Sequence, residues 1–272
     1  MKPVSALSDA VCRSLIGVLT DIDDTITTEG NLPAASYAML ERLTDAGILV
    51  VPITGRPGGW CDMIARLWPV AGVVGENGAL ALRYDHKSRK MRRHFMMDEP
   101  TRIASRKKLD ALSKTILKAI PGTALASDQN YRDADLAIDF CEDVPPLAQS
   151  EVDRIVEHFA AVGAAAKVSS IHVNGWFGSW DKLSMSKAFL AAEFGIDLDS
   201  QKERFVYCGD SPNDAPMFGF FPNSCGVANV RDFVGRMEAL PTYVAASRGA
   251  QGFVEIGERI LAACSAPTPT SR

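Results

Sequence analysis

Leu15-Ile-Gly-Val-Leu-Thr-Asp-Ile-Asp-Asp-Thr25 is the stretch that sets the architecture. Residues 15–20 form a short apolar run that stops on the acid Asp21. A strand with apolar side chains on both faces belongs inside a parallel sheet. A polar loop follows, then a helix expected over residues 33–46, with Pro33 suited to its first turn and Gly47 to its stop. Residues 48–51 read as a second buried strand, ending at Thr54-Gly55-Arg56. A helix near 59–67 leads to a third strand at 71–74. Strands alternating with helices indicate right-handed βαβ units.

The pattern changes after Gly75-Glu-Asn-Gly78, where Asn-Gly signals a hairpin turn. Residues 79–84 and 87–92 read as a strand and its return, 102–119 as a helix, 134–140 as a strand, 145–162 as a helix and 165–173 as a strand. The first pattern then resumes: a helix at 184–194, a strand at 205–208, a short helix opening at Asp214, short strands at 224–227 and 242–245, and a closing helix at 251–263. The tail, 265–272, is expected to fray. The fold class is therefore α/β. A doubly wound, Rossmann-like parallel sheet core (residues 1–81 and 180–272) would carry a smaller inserted α+β cap domain (82–179).

The 272 residues are 47% hydrophobic and 23% charged, which excludes a disordered chain. A formal net charge of -4 argues against a general nucleic-acid binder. The charge is uneven: between Arg83 and Lys118, twelve Lys/Arg against four Asp/Glu leave a local excess of eight positive charges. That stretch is either a solvated helix face or a field steering an anionic substrate. Six cysteines without CxxC spacing and four scattered histidines give no zinc or redox motif. Cys208 and Cys225 read as buried small hydrophobes. This cysteine usage suits a reducing cytoplasm, and no segment approaches the ~20 apolar residues of a membrane span.

The polar clusters all follow apolar strands, where open α/β sheets bind ligands. If the strands are neighbours, Asp21, Asp23, Asp24, Asp210 and Asp214 gather at one rim. Their mutual repulsion calls for a divalent cation, and an all-oxygen donor set favours magnesium. One carboxylate can attack phosphorus, and another two positions on can protonate the leaving oxygen.

Asp21-Ile-Asp23-Asp-Thr25, Thr54-Gly55-Arg56, Lys182 and Gly209-Asp210-Ser-Pro-Asn213-Asp214 resemble, in order, the four motifs of the haloacid dehalogenase superfamily. Gly75-Glu-Asn-Gly-Ala79 and the insert after it resemble its Cof-like branch, which includes sucrose-phosphate phosphatase. The resemblance implies a Mg2+-dependent phosphatase working through an aspartyl-phosphate. Asp21 would be nucleophile and metal ligand. Asp23 would be general acid/base and would offer its backbone carbonyl to the metal. Thr54, Gly55, Arg56, Lys182 and Asn213 would bind substrate or phosphate, with Lys187 the competitor of Lys182. Asp210 would ligate magnesium and Asp214 would support it. In the cap, Arg132, His172, Asn174 and Trp176 are the specificity candidates. The expected partner is a small phosphorylated metabolite, a sugar phosphate or another small phosphomonoester, rather than nucleic acid or membrane, with a homodimer left open. The alternatives are a phosphomannomutase-like phosphosugar mutase and a non-catalytic binder.

Overall fold

The computed structural model describes residues 1–169 and 171–265, so most of the tail expected to fray lies outside the described residues. In chain order the first elements are β1 (Lys2–Pro3), α1 (Asp9–Ser14), β2 (Gly17–Thr20), α2 (Ala34–Asp45), β3 (Leu49–Pro52), α3 (Gly58–Leu67) and β4 (Val73–Gly75). Next come β5 (Leu80–Asp85), β6 (Lys90–Phe95), α4 (Glu99–Ala119), β7 (Ala124–Leu125), β8 (Leu136–Asp139), α5 (Gln149–Ala161), β9 (Ala165–Val168) and β10 (His172–Trp176). The last third holds α6 (Lys182–Phe194), α7 (Leu198–Gln201), β11 (Phe205–Gly209), α8 (Ala215–Phe220), β12 (Cys225–Gly226), β13 (Tyr243–Val244) and α9 (Gly249–Ser265).

The chain forms two compact units. The first comprises Met1–Pro52, Trp68–Ala71 and the described residues from Gly195 onward. Its six-stranded sheet runs β1-β13-β12-β11-β2-β3 with every pairing parallel, as an α/β fold requires. β2 is paired on both sides, by β11 and β3, and Val18, Leu19, Val50, Val51, Val206 and Cys208 of these three strands are essentially without exposed surface. Burying each such side chain contributes roughly 1.5–3 kcal/mol. Strand register sets the exit points of the loops: Thr20 lies opposite Pro52 on one side and Cys208 on the other. Asp21 and Gly209 thus leave the sheet at the same rim. Pro33 caps α2 rather than occupying its first turn, and Gly47, at φ 79°, comes just after its end.

The second unit comprises Ile53–Leu67 and Gly72–Phe194, and the expected insert, 82–179, falls within it. It holds two small antiparallel sheets, β4-β5-β6 and β7-β8-β10-β9. The third strand expected in the parallel sheet is β4. It makes a single parallel bridge, Val74 to Ile53, and otherwise pairs antiparallel with β5. The single strand expected over 165–173 is two antiparallel strands, β9 and β10, because the chain turns at Ser169, whose hydroxyl accepts from the His172 amide at 2.9 Å. α4 starts three residues earlier than expected: Asp98 caps it, accepting from the Thr101 amide at 2.9 Å, and Pro100 fits its first turn. Leu136, Ile138 and Val173 share a core with Leu109, Ile116, Ile155 and Phe159 of α4 and α5. Strand alternation turns Asp139, His172, Asn174 and Trp176 to the opposite face.

Candidate active site

In the first unit three of the five expected acids converge, while Asp23 and Asp24 are not part of the group. Asp21, Asp210 and Asp214 are buried, and one carboxylate oxygen from each lies within 4.8 Å of the others. β2 and β11 deliver the first two, and the Asp21 amide donates to the Cys208 carbonyl at 2.8 Å. Asp214 comes from the 3-10 turn Pro212–Asp214. Its Oδ2 accepts from the amides of Asp210 (2.9 Å) and Ser211 (3.2 Å), and its Oδ1 from the Tyr207 hydroxyl at 2.5 Å. Asp214 therefore fixes the loop that presents Asp210. Asn213 accepts from the Ser211 hydroxyl at 2.9 Å.

Asp23 is half-buried, two residues beyond Asp21. Its loop is pinned by Thr27, whose hydroxyl donates to the Ile22 carbonyl (3.0 Å) and accepts from the Asp24 amide (3.0 Å). Three buried carboxylates at such close range repel one another. The oxygen-only donor set suits a hard divalent cation, which removes that conflict. With Asp214 spending its oxygens on three protein donors, Asp21 and Asp210 are the side chains fitted to hold such an ion.

The other phosphate-binding candidates lie in the second unit. Thr54 is buried, and its hydroxyl accepts from the Arg56 amide at 2.9 Å. Gly55 offers its carbonyl to Arg132 at 2.8 Å. The Arg56 guanidinium reaches Glu142 at 2.7 Å and Asp128 at 3.5 Å and lies 4.7 Å from the Trp60 ring centre. Lys182 is 3% exposed and is the first residue of α6, rather than preceding that helix. Lys187 is further along α6, half-buried.

All four cap candidates are buried in the same unit. Arg132 divides its fork between Asp128 (3.0 Å), Asp135 (3.0 Å) and the Gly55 carbonyl. Asn174 donates to Asp135 at 2.9 Å, and His172 Nε2 lies 2.9 Å from Glu142. The His172 and Arg56 contacts hold the Glu142 carboxyl down at about 2, against its partial burial. Trp176 stacks on Trp180, with centroids 6.2 Å apart.

Sequence reasoning missed Tyr207, Glu76, Asp128, Asp135 and Glu142. A tyrosine inside an apolar strand three residues before Asp210 was a readable sign of a buried polar partner, since a buried phenol needs one. Glu76 and Glu142 carried no such sign, because their partners lie far off in the chain, whereas Asp128 and Asp135 flank their partner Arg132 at four and three residues.

No family model matches the chain, and no curated protein matches it. Solved structures do. The C-terminal domain of trehalose-6-phosphate phosphatase from C. albicans aligns with a TM-score of 0.70 at 13% identity, over 96% of this chain and 98% of that one. The sucrose-phosphatase of Synechocystis, solved with sucrose and phosphate, gives 0.62 at 16% identity, over 91% and 98%. A haloacid dehalogenase-like hydrolase from Bacteroides thetaiotaomicron gives 0.63 at 14% identity, over 90% and 99%. The chain has the fold of the haloacid dehalogenase-like hydrolases.

Proposed function

We propose that this chain is a phosphoric monoester hydrolase of the haloacid dehalogenase superfamily, acting on a small phosphomonoester of the sugar phosphate class. The observation that carries the reading is the convergence of the Asp21, Asp210 and Asp214 carboxylates, from distant parts of the sequence, into one buried group. The similarity of fold to trehalose-6-phosphate and sucrose phosphatases supports the substrate class.

Asp21 is the nucleophile: its carboxylate attacks phosphorus, the ester oxygen leaves, and an aspartyl-phosphate forms. Asp23, half-buried and close in sequence, protonates the leaving oxygen and then takes a proton from the water that hydrolyses the intermediate. Thr54 and Lys182 hold phosphoryl oxygens, where positioning and charge stabilisation supply most of the rate. Magnesium, held by Asp21, Asp210 and the Asp23 carbonyl, would supply charge neutralisation among the acids. Arg132 positions the second unit's framework rather than touches substrate, since its guanidinium is committed to Asp128, Asp135 and the Gly55 carbonyl, and Asn174 joins that framework by donating to Asp135. The setting is cytoplasmic: all six cysteines are unbridged thiols, as a reducing compartment keeps them. Among the described residues no helix is long and apolar enough to cross a membrane.

The test is a phosphate-release screen over phosphorylated metabolites with magnesium present and Asp21→Asn as blank. Free phosphate from a sugar phosphate is the expected result. Isomerised sugar without free phosphate would make the chain a mutase, and no turnover of any member would overturn the enzyme reading.

A further inference from the structure

A hairpin between β4 and β5 explains Asn77 and Gly78, because such turns need left-handed backbone. It does not explain Glu76. This glutamate is fully buried, at φ 47°, and its neighbour Asn77 is at φ 54°. Both features run against the residue: a side chain with a Cβ rarely adopts that backbone, and burial disfavours its charge. Burial, with Asp135 beside it, pushes the Glu76 carboxyl up to about 7. Strain of this kind persists where the surroundings over-determine it.

The surroundings here are specific. One Glu76 oxygen accepts from the amides of Gly58 (2.9 Å) and Asp133 (2.7 Å), and the other from Ala134 (2.6 Å) and Asp135 (3.1 Å). The carboxylate thereby ties the turn to the start of α3 and to the segment entering β8. The main chain of the turn then reaches the candidate phosphate-binding loop. The Glu76 amide donates to the Arg56 carbonyl and the Asn77 amide to the Thr54 carbonyl, each at 3.0 Å. On its other side, Gly78 adopts φ 103°, and a Cβ there would lie 2.1 Å from the Asp181 carbonyl oxygen and 3.0 Å from the Lys182 nitrogen.

We infer that the Gly75-Glu-Asn-Gly78 turn is a positioning element that holds residues 54–56 and Lys182 in fixed relation, with Glu76 as its anchor. Glu76 and Gly78 are positioning residues and touch no substrate. Thr54 and Lys182 come from opposite ends of the second unit's sequence, and this turn contacts both segments. The kinetic consequence rests on the phosphatase reading; the structural coupling does not.

The experiment compares the full chain with Glu76→Gln, Gly78→Ala and Gly163→Ala. Glu76→Gln replaces one accepting oxygen by a donor and so releases one pair of amides. Gly78→Ala drives a methyl into the Asp181–Lys182 peptide. Gly163→Ala is the control, because Gly163 also has positive φ (75°) but nothing within 4 Å of a Cβ. Amide hydrogen exchange should quicken at least ~10-fold in residues 54–57 and 181–186 of the first two variants, and not in the control. On the substrate found by the phosphate-release screen, kcat should fall about 100-fold with a smaller change in KM, while the control stays near wild type. A folded Gly78→Ala or Glu76→Gln chain with wild-type exchange in both segments overturns the inference. Wild-type protein that releases no phosphate overturns the phosphatase reading instead, and the exchange comparison still decides the coupling.

Discussion

Tyr207→Phe isolates one hydroxyl in the most buried part of the acid cluster. The phenol and Asp214 are both without exposed surface, and their oxygens are 2.5 Å apart. The ring packs edge-on to Phe218 and stacks on Phe221, contacts that phenylalanine keeps. The substitution therefore removes one hydrogen bond to a carboxylate and little else. Burial, then the Asp214 charge, holds the phenol well above its ordinary pKa, so the hydroxyl remains a donor at any working pH. Hydrogen bonds to charged groups contribute about 1.5–3 kcal/mol, and loss of this one should lower stability by about 2 kcal/mol. Urea denaturation gives that value from the shift in midpoint at unchanged slope. A double-mutant cycle with Asp214→Ala should return most of it as coupling. Because Asp214 also holds the Asp210 and Ser211 amides, the variant should need more magnesium for half-maximal activity than wild type. A loss below ~0.5 kcal/mol with no coupling would refute the role given to Tyr207.

Three further outcomes rest on named contacts. Arg132→Ala leaves Asp128 and Asp135 buried without their shared counter-ion, and should destabilise the protein by about 3–5 kcal/mol in thermal or urea unfolding. Glu142 has its folded pKa depressed from 4.5 to about 2. Its contribution is therefore present above about pH 4.5 and lost as pH falls toward about 2, so Glu142→Gln should flatten that part of a stability–pH curve. Lys182→Ala should lower kcat by about 10²–10³ with the fold intact by circular dichroism, whereas Lys187→Ala should leave kcat close to wild type.

The sheet core was legible because β2, β3 and β11 are short apolar runs whose buried character shows in composition alone. The acids that end β2 and β11 were legible for the same reason: each is the first charged residue after a hydrophobic segment. The second unit was read less well. The 165–173 stretch carries no Gly or Pro to mark the turn near Ser169, so two strands looked like one. The start of α4 was missed although Asp98-Glu-Pro100 is an N-terminal signal, because the apolar period only begins further on. His172 and Asn174 alternate with apolar Ile171 and Val173, a pattern that a solvated sheet face explains as well as a binding face does. Here His172 meets Glu142 and Asn174 meets Asp135, partners far off in sequence that no local pattern encodes, whereas Arg132 is held by its near neighbours Asp128 and Asp135.

The most direct test of the central claim is the rate of phosphate release against free magnesium, measured for wild type, Asp21→Asn and Asp210→Asn on one sugar phosphate. Magnesium-dependent release by wild type is expected, with none detectable from Asp21→Asn and a much weaker metal response from Asp210→Asn. Release that continues unchanged in excess chelator, or that survives loss of the Asp21 carboxylate, would contradict the account.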